Sequence, residues 1–198
     1  MKILVGNGHG SDTPGKCSPD GTFKEWIYTR RVAREVVKEL QKSGYDAELL
    51  VTETTDVPLK ERVRRVNNRC TIFGTKNVLY LSIHVNAAKN GEWASARGFS
   101  CFTSKGQTVS DEVASVLYEV AEEIMPDQKL RKDYSDGDPD WESNFYVLKN
   151  TLCAAVLTEN FFMDNKEDLE YLNSEVGFRN IVDVHVKGIS RYLSKKVV

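Results

Sequence analysis

Three short polar strings each follow an apolar run. Ile3-Leu4-Val5 leads into Gly6-Asn7-Gly8-His9-Gly10, Val78–Leu81 into Ser82-Ile83-His84-Val85-Asn86, and Ala154–Val156 into Leu157-Thr158-Glu159-Asn160-Phe161. A polar group at the end of an apolar strand needs water or a ligand, because leaving it unpaired is costly. Ligands of open α/β sheets gather outside the carboxyl ends of the strands, so parallel strands would bring His9, His84 and Glu159 to one rim. Glu25 joins them. It sits in the first turn of the first predicted helix, on the side of Val32 and Val36, and therefore beside the buried stripe. Two imidazoles and two carboxylates in one cleft suit zinc, which accepts His nitrogen and carboxylate oxygen and in catalytic sites keeps one position open. Such an ion polarises a scissile carbonyl and brings the pKa of its water to about 7. The carboxylate outside the ligand set is then placed to take that water's proton and deliver it to the leaving amine. Residue types alone do not divide the two carboxylates between these tasks.

The elements that must carry these residues follow from periodicity. Ile3–Val5 predicts a strand. Phe23 to Ser43 predicts a helix, with Phe23, Ile27, Ala33, Val36, Val37 and Leu40 at helical spacing and Gly44 as its stop. Tyr45–Val51 predicts a strand, and Leu59–Phe73 a helix opened by Pro58 and closed by Gly74. Val78–Ile83 is almost continuously apolar, as a central parallel strand should be. Strands at Gly98–Thr103 and Ala154–Thr158 follow, with helices at Val109–Ile124, Asn165–Leu172 and Val176–Leu193. Strands separated by helices predict a single-domain α/β three-layer sandwich. Its sheet is mostly parallel (mixed), with helices on both faces, over residues 1–198.

The motifs in this order resemble those of the zinc-dependent N-acetylmuramoyl-L-alanine amidases of the amidase-3 type. The resemblance rests on Asn7-Gly8-His9-Gly10, Glu25, Pro58-Leu59-Lys60-Glu61-Arg62 with Asn67, Ser82-Ile83-His84-Val85-Asn86-Ala87, Phe145-Tyr146-Val147-Leu148-Lys149-Asn150, and Val156 to Phe162. It runs from Lys2 to about Leu193. It implies that His9, Glu25 and His84 bind zinc, that Glu159 is the catalytic glutamate, and that the substrate is peptidoglycan, cut between N-acetylmuramic acid and the L-alanine of the stem peptide. Two positions depart from the family pattern: Asn7 stands where Asp is usual, and Asn160 where a small residue often sits. Asn7 is expected to orient His9 as a hydrogen-bond partner, and Asn160 to narrow the pocket. Competing readings are a zinc peptidase for another peptide amide and a muropeptide-binding module without activity.

The remaining features bound the partners. A net charge of −2 argues against a nucleic-acid partner. The opening apolar run is too short for a signal-peptide core or a membrane span. The expectation is therefore a monomer with no membrane insertion, made in the cytoplasm and acting on the cell wall after release, as a phage or prophage endolysin would. Cys17, Cys70, Cys101 and Cys153 read as free thiols, with Cys101 and Cys153 as small core residues. His185, on the apolar stripe of the last helix, reads as a core-edge histidine with one satisfied nitrogen. Arg30, Arg31, Arg34 and Lys38 read as the solvent face of the first helix. Trp26, Trp93 and Trp141 are candidates to border the cleft and stack on sugars. The stretch Arg131–Asn144, with Asp133, Asp136, Asp138, Asp140 and Glu142, reads as a solvated loop; its functional alternatives are a mobile groove wall or a divalent-cation site.

Overall fold

A computed structural model describes residues 1–196 and has the three-layer α/β architecture expected from the alternation of elements. The strands are β1 (Lys2–Asn7), β2 (Asp46–Leu49), β3 (Val78–Asn86), β4 (Ser100–Thr103), β5 (Trp141–Glu142) and β6 (Ala154–Phe162). They form one sheet in the order β2-β1-β3-β6-β4-β5. The first four of these are parallel, β4 runs antiparallel to β6, and β5 is parallel to β4. The helices are α1 (Glu25–Lys42), α2 (Leu59–Phe73), α3 (Val109–Ile124), α4 (Tyr146–Asn150), α5 (Lys166–Asn173) and α6 (Glu175–Lys195). None is long and apolar enough to cross a membrane.

Successive strand residues point to opposite faces, and this alternation divides the core. Ile3 and Val5 of β1 and Leu79, Leu81 and Ile83 of β3 pack with Val32, Val36 and Leu40 of α1, Leu117 of α3 and Ile189 of α6. Leu4, Tyr80 and Leu157 pack on the other face with Val63 and Val66 of α2 and Val147 and Leu148 of α4. The central strands β3 and β6 are thus covered on both sides, which is why they read as near-continuous apolar runs.

The elements differ from the expected spans where chemistry begins. β3 and β6 run three and four residues further than predicted, to Asn86 and Phe162, so His84 and Glu159 lie inside the strands, opposite one another in register. In β3 the polar residues Ser82, His84 and Asn86 alternate with Ile83 and Val85, whereas in β6 Thr158 and Asn160 turn to the face opposite Glu159 and are hydrogen-bonded there. α1 begins at Glu25 and not at Phe23. Phe23 first closes a small turn with Ser18, exchanging hydrogen bonds with its backbone and side chain. Ile27, expected on the buried stripe, is 51% exposed. β5 and α4, two and five residues long, are too short to leave a periodic signature.

Candidate metal centre

The backbone at the end of β1 is held from several sides. Gly8 N–H donates to Ile83 O at 2.8 Å, carrying the β1–β3 ladder one residue past the strand. Thr29 Oγ1 donates to Gly8 O at 3.2 Å, and Arg30 Nη1 reaches the same oxygen at 3.4 Å. Arg62, buried on α2, donates to Asn7 O, to Val57 O at 2.7 Å and to Asp56 Oδ1 at 2.9 Å. His9 then takes a left-handed backbone conformation, φ 53°, which is uncommon outside glycine and asparagine and marks a constrained position. Gly8 is required beside it: a Cβ there would lie 2.6 Å from His84 Nδ1 and 2.8 Å from Glu25 Oε1.

His9, Glu25 and His84 meet at this point, and their donor atoms all lie within 4.8 Å of one another. Glu25, 1% exposed, stands between the two imidazoles: Oε1 is 3.3 Å from His84 Nδ1, and Oε2 is 3.5 Å from His9 Nε2. Oε1 also accepts from Val85 N–H at 3.2 Å, which ties the first turn of α1 to β3. Oε2 is buried with no hydrogen-bond partner. Ser82 Oγ lies 3.1 Å from His84 Nε2. When that nitrogen carries the proton, Nδ1 is left as a lone pair facing Glu25. A buried carboxylate oxygen without a donor, flanked by imidazole nitrogens, is the pattern that a zinc ion satisfies. The donor set therefore fits the metal.

Electrostatics separate the two carboxylates. Burial alone would raise Glu25, but the hydrogen bond with His84 and the nearby His84 and His9 outweigh it, and its carboxyl sits below the usual range. Burial, reinforced by the charge of Glu25, pushes Glu159 well above that range, with Lys16 opposing. Glu159 Oε2 is buried without a partner. Burial also lowers His9 to about 4 despite the attraction of Glu25, so without a metal it is a neutral imidazole at pH 7. A cavity of about 430 Å³ opens onto His9, His84 and Glu159. Its far wall is apolar, with Leu59, Phe145, Tyr146 and Leu157, and Lys16 and Arg62 bring positive charge to its rim. Lys16 lies in a loop outside any motif, and nothing in the sequence around it marks it.

Several expectations are corrected by side-chain direction. Asn7 does not orient His9. Its Nδ2 donates to Val51 O at 3.0 Å, its Oδ1 has no partner, and no hydrogen bond joins it to the imidazole. Asn160 does not narrow the pocket. Alternation along β6 sends Glu159 toward the cavity and Asn160 into the opposite core layer, where its Nδ2 donates to His84 O at 2.9 Å and contacts Thr158 Oγ1 at 3.2 Å. The β3–β6 register shifts at this point, with Phe161 at φ 66°, so the Asn160 amide serves a carbonyl beside the bulge. His185 is fully buried and has both nitrogens partnered, Nε2 with Thr158 Oγ1 at 2.9 Å and Nδ1 with Ile181 O at 2.7 Å. Arg30 is buried instead of solvated, with donors on Glu53 O and Trp26 O. The aromatic residues at the cavity are Phe145 and Tyr146, and none of the three tryptophans lines it.

Known proteins resemble this chain over nearly its whole length. A family described as N-acetylmuramoyl-L-alanine amidase (Amidase_3) matches residues 3–191. An endolysin of Bacillus phage SPP1 is 26% identical over 196 residues, which cover 98% of this chain and 66% of that protein. The N-acetylmuramoyl-L-alanine amidase CwlM of Bacillus licheniformis is 28% identical over 194 residues, 96% of this chain and 68% of that protein. The chain thus spans about two thirds of the length of these curated relatives. Among solved structures, an N-acetylmuramoyl-L-alanine amidase from Clostridium difficile 630 superposes with a TM-score of 0.81 at 23% identity, covering 99% of this chain and 98% of that one. The catalytic domain of CwlV from Bacillus (Paenibacillus) polymyxa gives 0.80 at 22% identity, covering 98% and 99%. These two share the fold. The chain belongs to the N-acetylmuramoyl-L-alanine amidase family of the amidase-3 type.

Proposed function

We propose that this member of the family hydrolyses the amide between N-acetylmuramic acid and the L-alanine of the peptidoglycan stem peptide. His9, Glu25 and His84 hold a zinc ion, and Glu159 is the catalytic base. The observation that carries the reading is the Glu25 carboxylate, buried between two imidazoles with one oxygen unpartnered. When bound, zinc supplies Lewis acidity toward the amide carbonyl and the attacking water. Glu159, on the same face of the sheet and opposite His84 in register, takes a proton from the water and passes it to the leaving nitrogen. Its burial favours the protonated form, so it is a stronger base than a solvated carboxylate. The solvent-exposed apolar side chains of Leu59, Phe145 and Tyr146 offer the substrate an apolar surface to pack on. Relatives named as an endolysin and as amidases support a wall-lytic role.

The test is digestion of purified sacculi with zinc-loaded protein, read as new N-terminal alanine. Glu159→Ala is expected to lower the rate about 10²–10⁴-fold while the protein still binds one zinc. Release of peptides without an alanine amino terminus would refute the bond assignment. A Glu159→Ala variant as fast as wild type would refute the role of the base.

A further inference from the structure

The connections that leave the metal-centre strands also build a second cavity. Asp20 and Thr22 come from the β1–α1 connection, Trp93 from the β3–β4 connection, and Lys166, Glu170 and Asn173 from α5, which follows β6. They line a shallow, open cavity of about 450 Å³. The same β1–α1 connection gives Thr13 and Lys16 to the metal cavity. Between these residues a Cβ on Gly15 would come 3.3 Å from Asn90 Oδ1, so the β1–α1 and β3–β4 connections touch. Trp93 is presented by a loop pinned on both sides of it. Asp164 Oδ2 accepts from Ala88 N–H and Lys89 N–H, each at 2.8 Å. Ala94 N–H donates to Asp164 O at 2.8 Å, and Asn165 Nδ2 donates to Ala94 O at 3.0 Å. Lys166 Nζ stands 5.5 Å from the indole centroid, a cation–π contact that orients the ring. Trp93 nevertheless stays 36% exposed. An indole held out of the core at a cavity of this kind is a flat apolar surface ready for a ligand.

We propose that this cavity is a subsite for a neutral N-acetylated sugar of the glycan strand, stacked on Trp93, beyond the sugar that bears the scissile amide. The inference rests on the peptidoglycan reading above and gives that substrate a second point of contact. A pyranose ring carries an apolar face of C–H groups edged by hydroxyls. The indole matches the face, and carboxylates and amides match the edge. Asp20 Oδ1 is taken by Ser18 Oγ at 2.5 Å and Thr22 Oγ1 at 2.8 Å, which leaves Oδ2 for the ligand. Among the described residues the side chains of Glu170 and Asn173 are not engaged by any other side chain. Two carboxylates against one ammonium disfavour an anionic polymer, whereas a neutral sugar meets no repulsion. Both cavities draw on the carboxyl-end connections of the same strands. A strand seated on Trp93 therefore carries its peptide branches toward the metal centre.

The test titrates zinc-loaded protein with the β-1,4-linked tetramer of N-acetylglucosamine, read by calorimetry and by tryptophan emission. Wild type is expected to bind saturably with a change in emission. Trp93→Ala, which retains Trp26 and Trp141, is expected to bind about tenfold more weakly and to lose the emission change. Trp93→Tyr, which keeps a flat ring, should keep most of the affinity. On sacculi Trp93→Ala should raise KM about tenfold with kcat unchanged, and a soluble muramoyl dipeptide with a single sugar should be cut at the wild-type rate. The inference is overturned if wild type does not bind the tetramer, or if folded Trp93→Ala binds it as wild type does. Should Trp93→Ala not fold, unchanged affinity in the exposed double variant Glu170→Ala/Asn173→Ala overturns it equally. Tetramer binding through Trp93 without cleavage of the muramoyl-alanine amide would defeat the proposed function and leave the subsite standing. Cleavage without Trp93-dependent binding would do the reverse.

Discussion

His84 and His185 lie on the two faces of the same sheet, yet their surroundings are opposite in kind. His185 is enclosed, and each ring nitrogen has one partner. If Nδ1 carries the proton to Ile181 O, Nε2 accepts from the Thr158 hydroxyl, and that hydroxyl in turn receives the Asn160 amide. No bonding capacity is left over. His84 is half-buried and faces a carboxylate with an oxygen that nothing satisfies. Burial does not distinguish a ligand from a core histidine; residual bonding capacity does. The two are also linked, because the chain from His185 ends on the backbone carbonyl of His84 through Asn160.

Matched substitutions break or sharpen this contrast. The largest effect is expected from His84→Asn, with loss of stoichiometric zinc and a fall in sacculus hydrolysis of at least about a thousandfold, since transition-state stabilisation by a metal is worth several kcal/mol. Metal analysis and rate on the same sample check it, and a chelator should reproduce the rate loss in wild type with recovery on adding zinc. Next, zinc at about a thousandfold above its dissociation constant should stabilise the wild-type fold by about 4 kcal/mol and stabilise His185→Asn equally. His84→Asn should show none of it in denaturant melts. His185→Asn itself is expected to cost about 2–4 kcal/mol through a cavity and unpaired Thr158, with zinc content unchanged. Zinc loss in that variant would dissolve the distinction between the two histidines.

Acid titration addresses the same enclosure. Burial lowers His185 to about 4 from 6.5. Above pH 6.5 it is neutral in both folded and unfolded chains. Between there and about pH 4 only the unfolded chain takes up the proton, so stability falls as pH falls, by on the order of 3 kcal/mol in total, and levels off below. Urea midpoints of metal-free wild type and His185→Gln over this window should show a shallower slope in the variant. The smallest effect is expected from Asn160→Ala, which removes the donor to His84 O, at about 1–3 kcal/mol. A changed KM without a stability loss would instead restore Asn160 to the pocket.

Much of this was legible along the chain. His84 and Glu159 each stand two residues beyond a buried residue of the same face, and period-two alternation predicts that they share it. Glu25 follows from helix phase, since it falls on the side of Val32 and Val36. The same alternation, counted on from Glu159, places Asn160 on the reverse face, but only once β6 is known to continue to Phe162. Arg30 looked like one of four solvent cations because its partners, the carbonyls of Gly8 and Glu53, are far from it in sequence. Most of the acidic loop is exposed or half-exposed, as its composition predicts; what composition does not register is that Thr103 of β4 pairs with Glu142 of β5 and draws Asp140 inside.

By itself the sequence determined the order of the longer strands and helices and the family, and it put forward His9, Glu25 and His84 as a candidate zinc-type donor set. These are encoded in residue type and in spacings of two to four, which act within one element. Tertiary structure alone decided which oxygens remain without partners: Glu25 Oε2 at the candidate zinc centre, Asp138 Oδ1 and Asp140 Oδ1 at the edge strand. Whether a polar atom is satisfied depends on groups brought from distant segments, as with Glu25 and Val85, 60 residues apart. That pairing exists only once the sheet has closed and water has been excluded.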